Sequence, residues 1–261
     1  VISIIRSEWL KLRTTAVPWV LTGIALLINA LLILVIFLNR PGDNGPGSGP
    51  STAGYIVPHT TQQLRNLVGS GFQGYIFALL LGTLIVTTEF RHKTVTTSFL
   101  VTPVRTKLVA GKLITSAILG ALLAVIMLVA TVIGGGITLA ARGGSFSDMV
   151  HQIPAVAPGM ILVFALFAML GVGIGSVLTN QVAAIIVVLG WFIILEGILV
   201  SLVHSAERWV PTGAATAAAN LTRGSRDFGL FNWWQGALLM LFYGLAFAAI
   251  GSLILTRRDI T

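Results

Sequence analysis

One carboxylate lies deep in an apolar run: Glu196, in the stretch Val182–Val203. Fourteen residues on from Val182, it sits about 21 Å along a helix of ordinary rise. A carboxylate at such depth is costly and often functional. The sharper reading is a cation- or proton-sensitive site in a substrate path. The plainer reading is a protonated side chain bonding across a helix interface. His204 follows eight residues later and shares a similar helical face, but that spacing does not make an acid–base pair. His59, His92 and His151 are scattered, and neither H-E-x-x-H nor G-x-S-x-G occurs. Zinc and serine intramembrane proteases are therefore not expected. Gly111-Lys112 looks like the end of a phosphate loop, but Thr106 stands where its first glycine belongs. The chain is not expected to bind and hydrolyse ATP by that chemistry. Gly69-Ser-Gly-Phe-Gln-Gly74 fits G-x-G-x-x-G, yet no strand precedes it. Close helix packing through small residues accounts for it better than a dinucleotide site. Gly171 and Gly175 form G-x-x-x-G and are expected to pack helices, with a dimer seam as the alternative. Gln73 is a polar candidate for lining a path. There is no cysteine, which excludes disulfides, thiolate metal sites and thiol nucleophiles.

The elements that must position these residues are membrane spans. Of the 261 residues, 56% are hydrophobic and 9% charged, against about a quarter charged in soluble domains. With a mean hydropathy of +0.95, the composition excludes a soluble enzyme, a secreted disulfide scaffold and a disordered tail. A helix crosses a bilayer with about 20 apolar residues, and six stretches qualify: 17–38, 67–88, 108–139, 157–178, 182–203 and 234–255. The fold class is an all-α integral membrane protein forming a single transmembrane domain. The third run exceeds one crossing, so it tilts or extends beyond the membrane. The first run is read as a span and not a cleaved signal, because no small-x-small site follows it.

The net charge of +8 points to basic loops facing an anionic leaflet, not to nucleic acid. With the N-terminus inside, Arg6, Lys11, Arg13, Arg91, Lys93, Arg105, Lys107, Lys112, Arg257 and Arg258 lie on the inner side. Arg40, Arg65, Arg142, Arg208, Arg223 and Arg226 lie outside. The inner excess places both termini in the cytoplasm. The outer loop 39–66 contains the flexible run PGDNGPGSGPSTAG. The longest segments outside the spans leave no room for a separate nucleotide-binding domain.

Two cytoplasmic segments are candidates for contact with a partner. In residues 2–14, Ile2, Ile5, Trp9 and Leu12 recur at helical spacing, with Arg6, Ser7, Lys11 and Arg13 largely elsewhere. This predicts an amphipathic helix in the inner headgroup layer, or more plainly a basic flank that sets topology. In the inner loop 89–107, Glu89 opens a predicted short helix, where a carboxylate suits the dipole. Val95 and Phe99 form an i, i+4 apolar pair, and Pro103 ends the helix. Such a helix suits a groove on a soluble protein; the plainer reading is a solvated loop. In the outer segment 204–233, Trp209, Phe228, Phe231, Trp233 and Trp234 suit an interfacial belt.

Three segments carry a resemblance. Arg6-Ser-Glu-Trp-Leu-Lys-Leu-Arg13 resembles the start of bacterial, especially actinobacterial, ABC-2 type transporter permeases. Glu89-Phe-Arg-His-Lys-Thr94, with Thr102-Pro-Val-Arg105 and Lys112, resembles their first cytoplasmic loop. Val210-Pro-Thr-Gly-Ala-Ala215 resembles the segment before their last span. Lys93 stands where members often have glycine. The resemblance implies the ABC-2 fold: six transmembrane helices, an N-terminal interface helix (Ile2–Thr14, within 1–16), a coupling helix (Phe90–Val101) between spans 2 and 3, and short outer re-entrant helices in 204–233.

The resemblance also implies a multi-pass permease of the bacterial plasma membrane that is no enzyme by itself. It would pair with an identical or different permease and with two copies of a separate ATPase subunit, which would bind ATP and magnesium. No cofactor is expected in this chain. Glu89, Phe90, Arg91, Val95, Phe99 and Arg105 would then couple to the ATPase. Arg6, Trp9, Lys11 and Arg13 would form the interface helix. The implied activity is export of a hydrophobic or amphiphilic substrate: a drug, antibiotic, lipid or peptide. Competing readings are a non-transporting membrane scaffold or sensor, and an intramembrane enzyme using Glu196 and a histidine.

Overall fold

The computed structural model describes Leu10 and residues 15–38, 61–92, 105–178, 180–221 and 231–257, and contains helices and no strand among them. Helix α1 spans Val17–Leu38. Helix α2 (Thr61–Val68) runs through a 3-10 stretch, Gly69–Gly74, into α3 (Tyr75–Arg91). Helix α4 covers Arg105–Ala141, and a short α5 (Phe146–Val150) precedes α6 (Ile153–Val177). Helix α7 (Gln181–Leu189) continues through a π-helical turn, Gly190–Leu195, into α8 (Glu196–Leu202). Helix α9 (Pro211–Ala218) leads toward α10 (Trp233–Arg257). Six segments are long and apolar enough to cross a membrane: α1, α2–α3, α4, α6, α7–α8 and α10. The second begins at Thr61, earlier than hydropathy alone indicates. Its first turns are polar on one side, and Leu64, Leu67 and Val68 are buried on the other.

Helices are the economical solution here because hydrocarbon offers the backbone no partners. Several hydroxyls within the spans follow the same rule and bond back along their own helix. Thr83 donates to the Leu79 carbonyl at 2.9 Å, Thr87 to Thr83 at 3.0 Å, Thr115 to Gly111 at 2.9 Å and Ser176 to Val172 at 2.8 Å. These polar residues therefore sit inside apolar runs without an orphaned group.

Helix α6 is the centre of the bundle and packs against α3, α10 and α4. The α3–α6 contact is made by backbone. A methyl group on Gly82 would lie 1.9 Å from the carbonyl oxygen of Ala168. On Gly171 it would lie 2.1 Å from that of Leu79, and on Gly175 2.7 Å from that of Thr83. The glycines of the G-x-x-x-G pair thus meet two α3 residues that are also one turn apart. On other sides of α6, a methyl on Gly173 would meet Phe247 of α10 at 2.7 Å, and one on Gly120 of α4 would meet the Phe164 carbonyl oxygen at 2.4 Å. The 3-10 stretch is close-packed too. A methyl on Gly71 would lie 2.5 Å from the Thr131 hydroxyl, and one on Gly74 would lie 2.9 Å from Met127 Cε.

Four aromatic rings join the non-α segments to the core. Tyr75 stacks on Phe167 with centroids 4.5 Å apart, and Phe72 lies 5.3 Å from Tyr75. Phe192, from the π turn, meets Phe167 edge-on at 5.6 Å. Offset and edge-on pairs of this kind add to the packing of a core.

Helix α1 is peripheral, and most of its apolar side chains are exposed. Two polar contacts hold it to α4. Asn29 Nδ2 donates to Thr131 Oγ1 at 3.1 Å in a buried setting. Arg142 Nη2, just past the end of α4, donates to the carbonyls of Ile36 and Phe37 at 2.9 and 2.8 Å. The last turn of a helix leaves its carbonyls unpaired, and a cation there is favourable.

The backbone contact of α3 with α6 predicts opposite effects of two similar changes. Gly82→Ala overpacks the crossing and should cost about 1–3 kcal/mol. Gly23→Ala meets nothing within 4 Å and should be neutral or gain about 0.5–1 kcal/mol from helix propensity. Thermal unfolding of the detergent-solubilised variants measures both; a Gly82→Ala protein as stable as wild type would refute the contact.

Candidate functional site

Three buried polar links join different helices, and two of them stand at the ends of the spans that the sequence singled out. The first is at the segment between α3 and α4. Glu89 lies in the last turns of α3 and is 8% exposed. Lys112 lies two turns into α4 and is 4% exposed. Lys112 Nζ donates to Glu89 Oε1 at 2.7 Å. The expectation that Glu89 opens a separate short helix is therefore corrected: α3 runs on to Arg91. No proline or glycine interrupts Tyr75–Arg91 except Gly82 at the crossing, and Glu89 has a buried cation to meet. An ion pair this dry is held by geometry, and removing one member leaves the other charge stranded.

Beside this clamp, Arg91 Nη1 donates to Gln181 Oε1 at 3.2 Å. Gln181 opens α7, whose N-terminus is capped by Asn180. Asn180 Oδ1 accepts from the amides of Val182 and Ala183 at 3.0 and 3.2 Å, the ordinary way to satisfy first-turn N–H groups. The ends of α3, α4 and α7 are thereby linked through two side-chain pairs. Phe90 is half-buried and Arg91 exposed at this end. Arg105 opens α4. Val95 and Phe99 lie outside the described residues, as do Arg6, Trp9, Lys11 and Arg13 of the N-terminal segment.

The second link lies at the other end of the bundle. Glu196 is 2% exposed. Its Oε1 accepts from the Thr212 amide at 2.8 Å and also from the Thr212 hydroxyl. Thr212 is the second residue of α9, after Pro211. Its N–H is one of the first-turn donors that have no partner inside a helix, and a carboxylate suits that position electrostatically. His204 is exposed at the start of a 3-10 turn.

The π turn explains how Glu196 comes to face inward. Ala184, Val188, Phe192 and Glu196 are all buried and recur every fourth residue. In an α-helix each such step drifts by about 40°. The wider π turn, with its i→i+5 bonds, opposes that drift. The four residues therefore stay on one stripe, and Glu196 ends it beneath α9.

Helix α9 itself is made of small residues, and Thr212 through Ala219 are buried. It packs against α10 and α6. A methyl on Gly236 would lie 2.4 Å from the Ala214 carbonyl oxygen, and one on Gly159 2.3 Å from that of Ala218. Asn220 ends it in the left-handed region at φ 56°. The Leu221 amide bonds the Thr216 carbonyl at 3.1 Å and the Asn220 amide that of Ala217 at 3.0 Å, the Schellman pattern. Leu221 then packs on Gly69. Tyr243 of α10 donates its phenol proton to the Trp209 carbonyl, and Arg208 stacks over Trp209 and Phe231.

Gln73 lies in the 3-10 stretch and is exposed. Gly171 and Gly175 are inside the α3–α6 contact. Sequence reasoning did not pair Glu89 with Lys112, although both signals were present: an acid and a base near the same ends of consecutive spans. It did not pair Glu196 with Thr212 either, although Pro211 flags a helix start whose free amides need an acceptor.

Six spans, buried polar links between them and a short helix folded back into the bundle define a polytopic helical membrane protein. The sequence profile described as ABC-2 family transporter protein matches residues 4–197, and the chain belongs to that family. The match ends one residue past Glu196, before α9 and the last span. No curated protein matches the chain. It is a membrane permease, a transport subunit.

The clamp makes a direct prediction. Lys112→Met leaves Glu89 buried without its cation and should cost about 3–5 kcal/mol. Glu89→Leu combined with Lys112→Met should recover most of that loss. Thermal unfolding in detergent reads both, and a double variant no better than the single one would contradict the pairing.

Proposed function

We propose that this chain is the membrane-spanning subunit of an ATP-driven exporter of the bacterial plasma membrane, with both termini in the cytoplasm. Two copies of a separate ATPase subunit supply ATP hydrolysis with magnesium, and a second permease, identical or related, completes the path. The substrate is hydrophobic or amphiphilic: a drug, antibiotic, lipid or peptide. The family assignment supports transport, and the buried Glu89–Lys112 pair is the observation that carries the coupling part of the reading.

An ATPase pressing on the segment between α3 and α4 acts on two helix ends that the ion pair joins. The push therefore moves α3 and α4 together instead of splaying them. The glycine contacts of α3 with α6 pass the displacement to the central helix without a compliant layer of side chains, because packed cores resist continuous deformation. The Arg91–Gln181 bond carries part of it to α7. In this scheme the interface helix at 2–14 and the coupling residues Phe90, Arg91, Val95, Phe99 and Arg105 meet the ATPase, while Glu89 braces the loop from behind. Commitment of the one deep carboxylate, Glu196, to α9 favours an apolar passage over a cation-binding one.

Purification from the native host with the associated ATPase tests the reading. An ATPase should co-purify, and hydrolysis should vanish when its phosphate-loop lysine is replaced. Phe99→Ala and Glu89→Ala should lower transport by about tenfold or loosen the complex, the effect of misplacing one positioning contact. Wild-type assembly and transport in both variants, or a chain that comes out alone under conditions preserving other transporter complexes, would overturn it.

A further inference from the structure

Among the described residues no carboxylate pairs with Arg208; the ion pair there is Glu89–Lys112. We infer that Arg208, stacked on Trp209 and Phe231, binds the phosphodiester of an anionic phospholipid in the leaflet at this end of the bundle. The inference concerns a fixed lipid contact and holds for any transported substrate.

Position is the first support. The fifth span ends at Leu202 and the sixth begins at Trp233, so Arg208, Trp209 and Phe231 lie in the segment that joins their ends. Trp209, Trp233 and Trp234 are large and exposed, and indole rings concentrate at the headgroup level of a bilayer. The turn itself is fixed. The Trp209 and Val210 amides donate to the Ala206 carbonyl at 2.9 and 3.1 Å. Tyr243 of α10 donates to the Trp209 carbonyl. A methyl on Gly213 of α9 would lie 1.7 Å from the Glu207 carbonyl oxygen. The site therefore stands on a frame tied to both α9 and α10.

Geometry and charge define the ligand. The Arg208 guanidinium lies 5.7 Å from the Trp209 ring centroid and 6.0 Å from that of Phe231. The two rings meet edge-on with centroids 5.0 Å apart, so they hold the cation against an apolar wall. Stacking occupies the face of a guanidinium and leaves the N–H groups of its edge to donate. Glu207, its neighbour in sequence, is buried, whereas Arg208 is exposed. A cation at the edge of hydrocarbon is costly without a counterion. The anion that a bilayer supplies at this level is the lipid phosphate, whose free oxygens fit the guanidinium fork. The two flanking spans supply a surface for the acyl chains: Ile198, Leu199 and Leu202 on α8, and Leu238, Leu241 and Phe242 on α10, are exposed. A free phosphate would leave that surface unused. A zwitterionic headgroup would bring its own ammonium close to the guanidinium, so an anionic one is preferred.

The test uses the full chain, purified in mild detergent and stripped of lipid. It is mixed with equal amounts of phosphatidylglycerol and phosphatidylcholine, and native mass spectrometry counts the lipid retained. The wild-type chain should retain phosphatidylglycerol preferentially. Arg208→Gln should weaken the tightest phosphatidylglycerol binding about tenfold, the change one charge-assisted pair controls. Arg208→Lys keeps the charge without the fork and should be intermediate. Arg65→Gln is the control for net charge, because Arg65 already donates to Gln152 at 3.2 Å; it should change little. Without lipid, Arg208→Gln should unfold at the wild-type temperature, and added phosphatidylglycerol should raise that temperature for the wild type alone. Inorganic phosphate in large excess should not displace the lipid. Equal retention of both lipids by the wild type, or undiminished phosphatidylglycerol binding in Arg208→Gln, would overturn the inference. An equal loss in Arg65→Gln would overturn it too, by reducing the effect to net charge. So would early unfolding of lipid-free Arg208→Gln, which makes Arg208 structural, or displacement by inorganic phosphate, which makes the site one for a free anion.

Discussion

The rest of the molecule depends on a contact without side chains: the backbone of α3 against that of α6. In a bilayer, apolar side chains gain little by leaving lipid for one another, so helices associate through close packing and polar bonds. Gly82, Gly171 and Gly175 bring the two backbones within reach of each other's carbonyls. That closeness sets the position of α6, and α4 and α10 approach α6 through further glycines, Gly120 and Gly173. Around this axis α1 and α7–α8 are peripheral, and their apolar faces are open to lipid or to another subunit.

Polar side chains are used sparingly and at definite levels. Several hydroxyls inside the spans, such as those of Thr83, Thr87, Thr115 and Ser176, are satisfied by their own helices. Three buried links reach across: Asn29 to Thr131, Lys112 to Glu89, and Glu196 to Thr212. Each adds a polar tie to parts that glycine contacts also bring close. Asn29 holds a peripheral span, Lys112 closes the base of the segment between α3 and α4, and Glu196 seats α9. Arg142 does related work by capping the end of α1, which gives one of the cations assigned to the outer side a structural reason to be there. The Glu89–Lys112 and Glu196–Thr212 links stand at opposite ends of a bundle with a rigid centre, an arrangement suited to transmitting a movement from one face of a membrane to the other.

Much of this was written in the chain before any folding. Composition and hydropathy decide that it spans a membrane, because the cost of exposing so much apolar surface is insensitive to detail. The number of spans follows from the same averages. Glu196 and Gly171–Gly175 stand out by type alone, since a carboxylate or a spaced pair of glycines in an apolar run needs an explanation. Periodicity and turn chemistry were harder to use. The 3-10 stretch at Gly69–Gly74 and the π turn at Gly190–Leu195 have no sharp local signature, because both are compromises between neighbouring helices.

Which residues meet was decided only in three dimensions. Glu196 has a histidine eight residues away and a threonine sixteen residues away, and sequence distance points to the former. The fold selects Thr212 because α9 turns back and presents free amides to the carboxylate. Glu89 reads as the start of a loop helix when its surroundings are unknown, yet it belongs to α3 because Lys112 of the next span is there to receive it. Composition and residue type are enough to give the solvent, the helices and the residues too polar or too small to be idle. The tertiary structure alone decided their partners, because a buried polar group is satisfied by whatever donor or acceptor packing brings within about 3 Å, and packing is a property of the whole bundle.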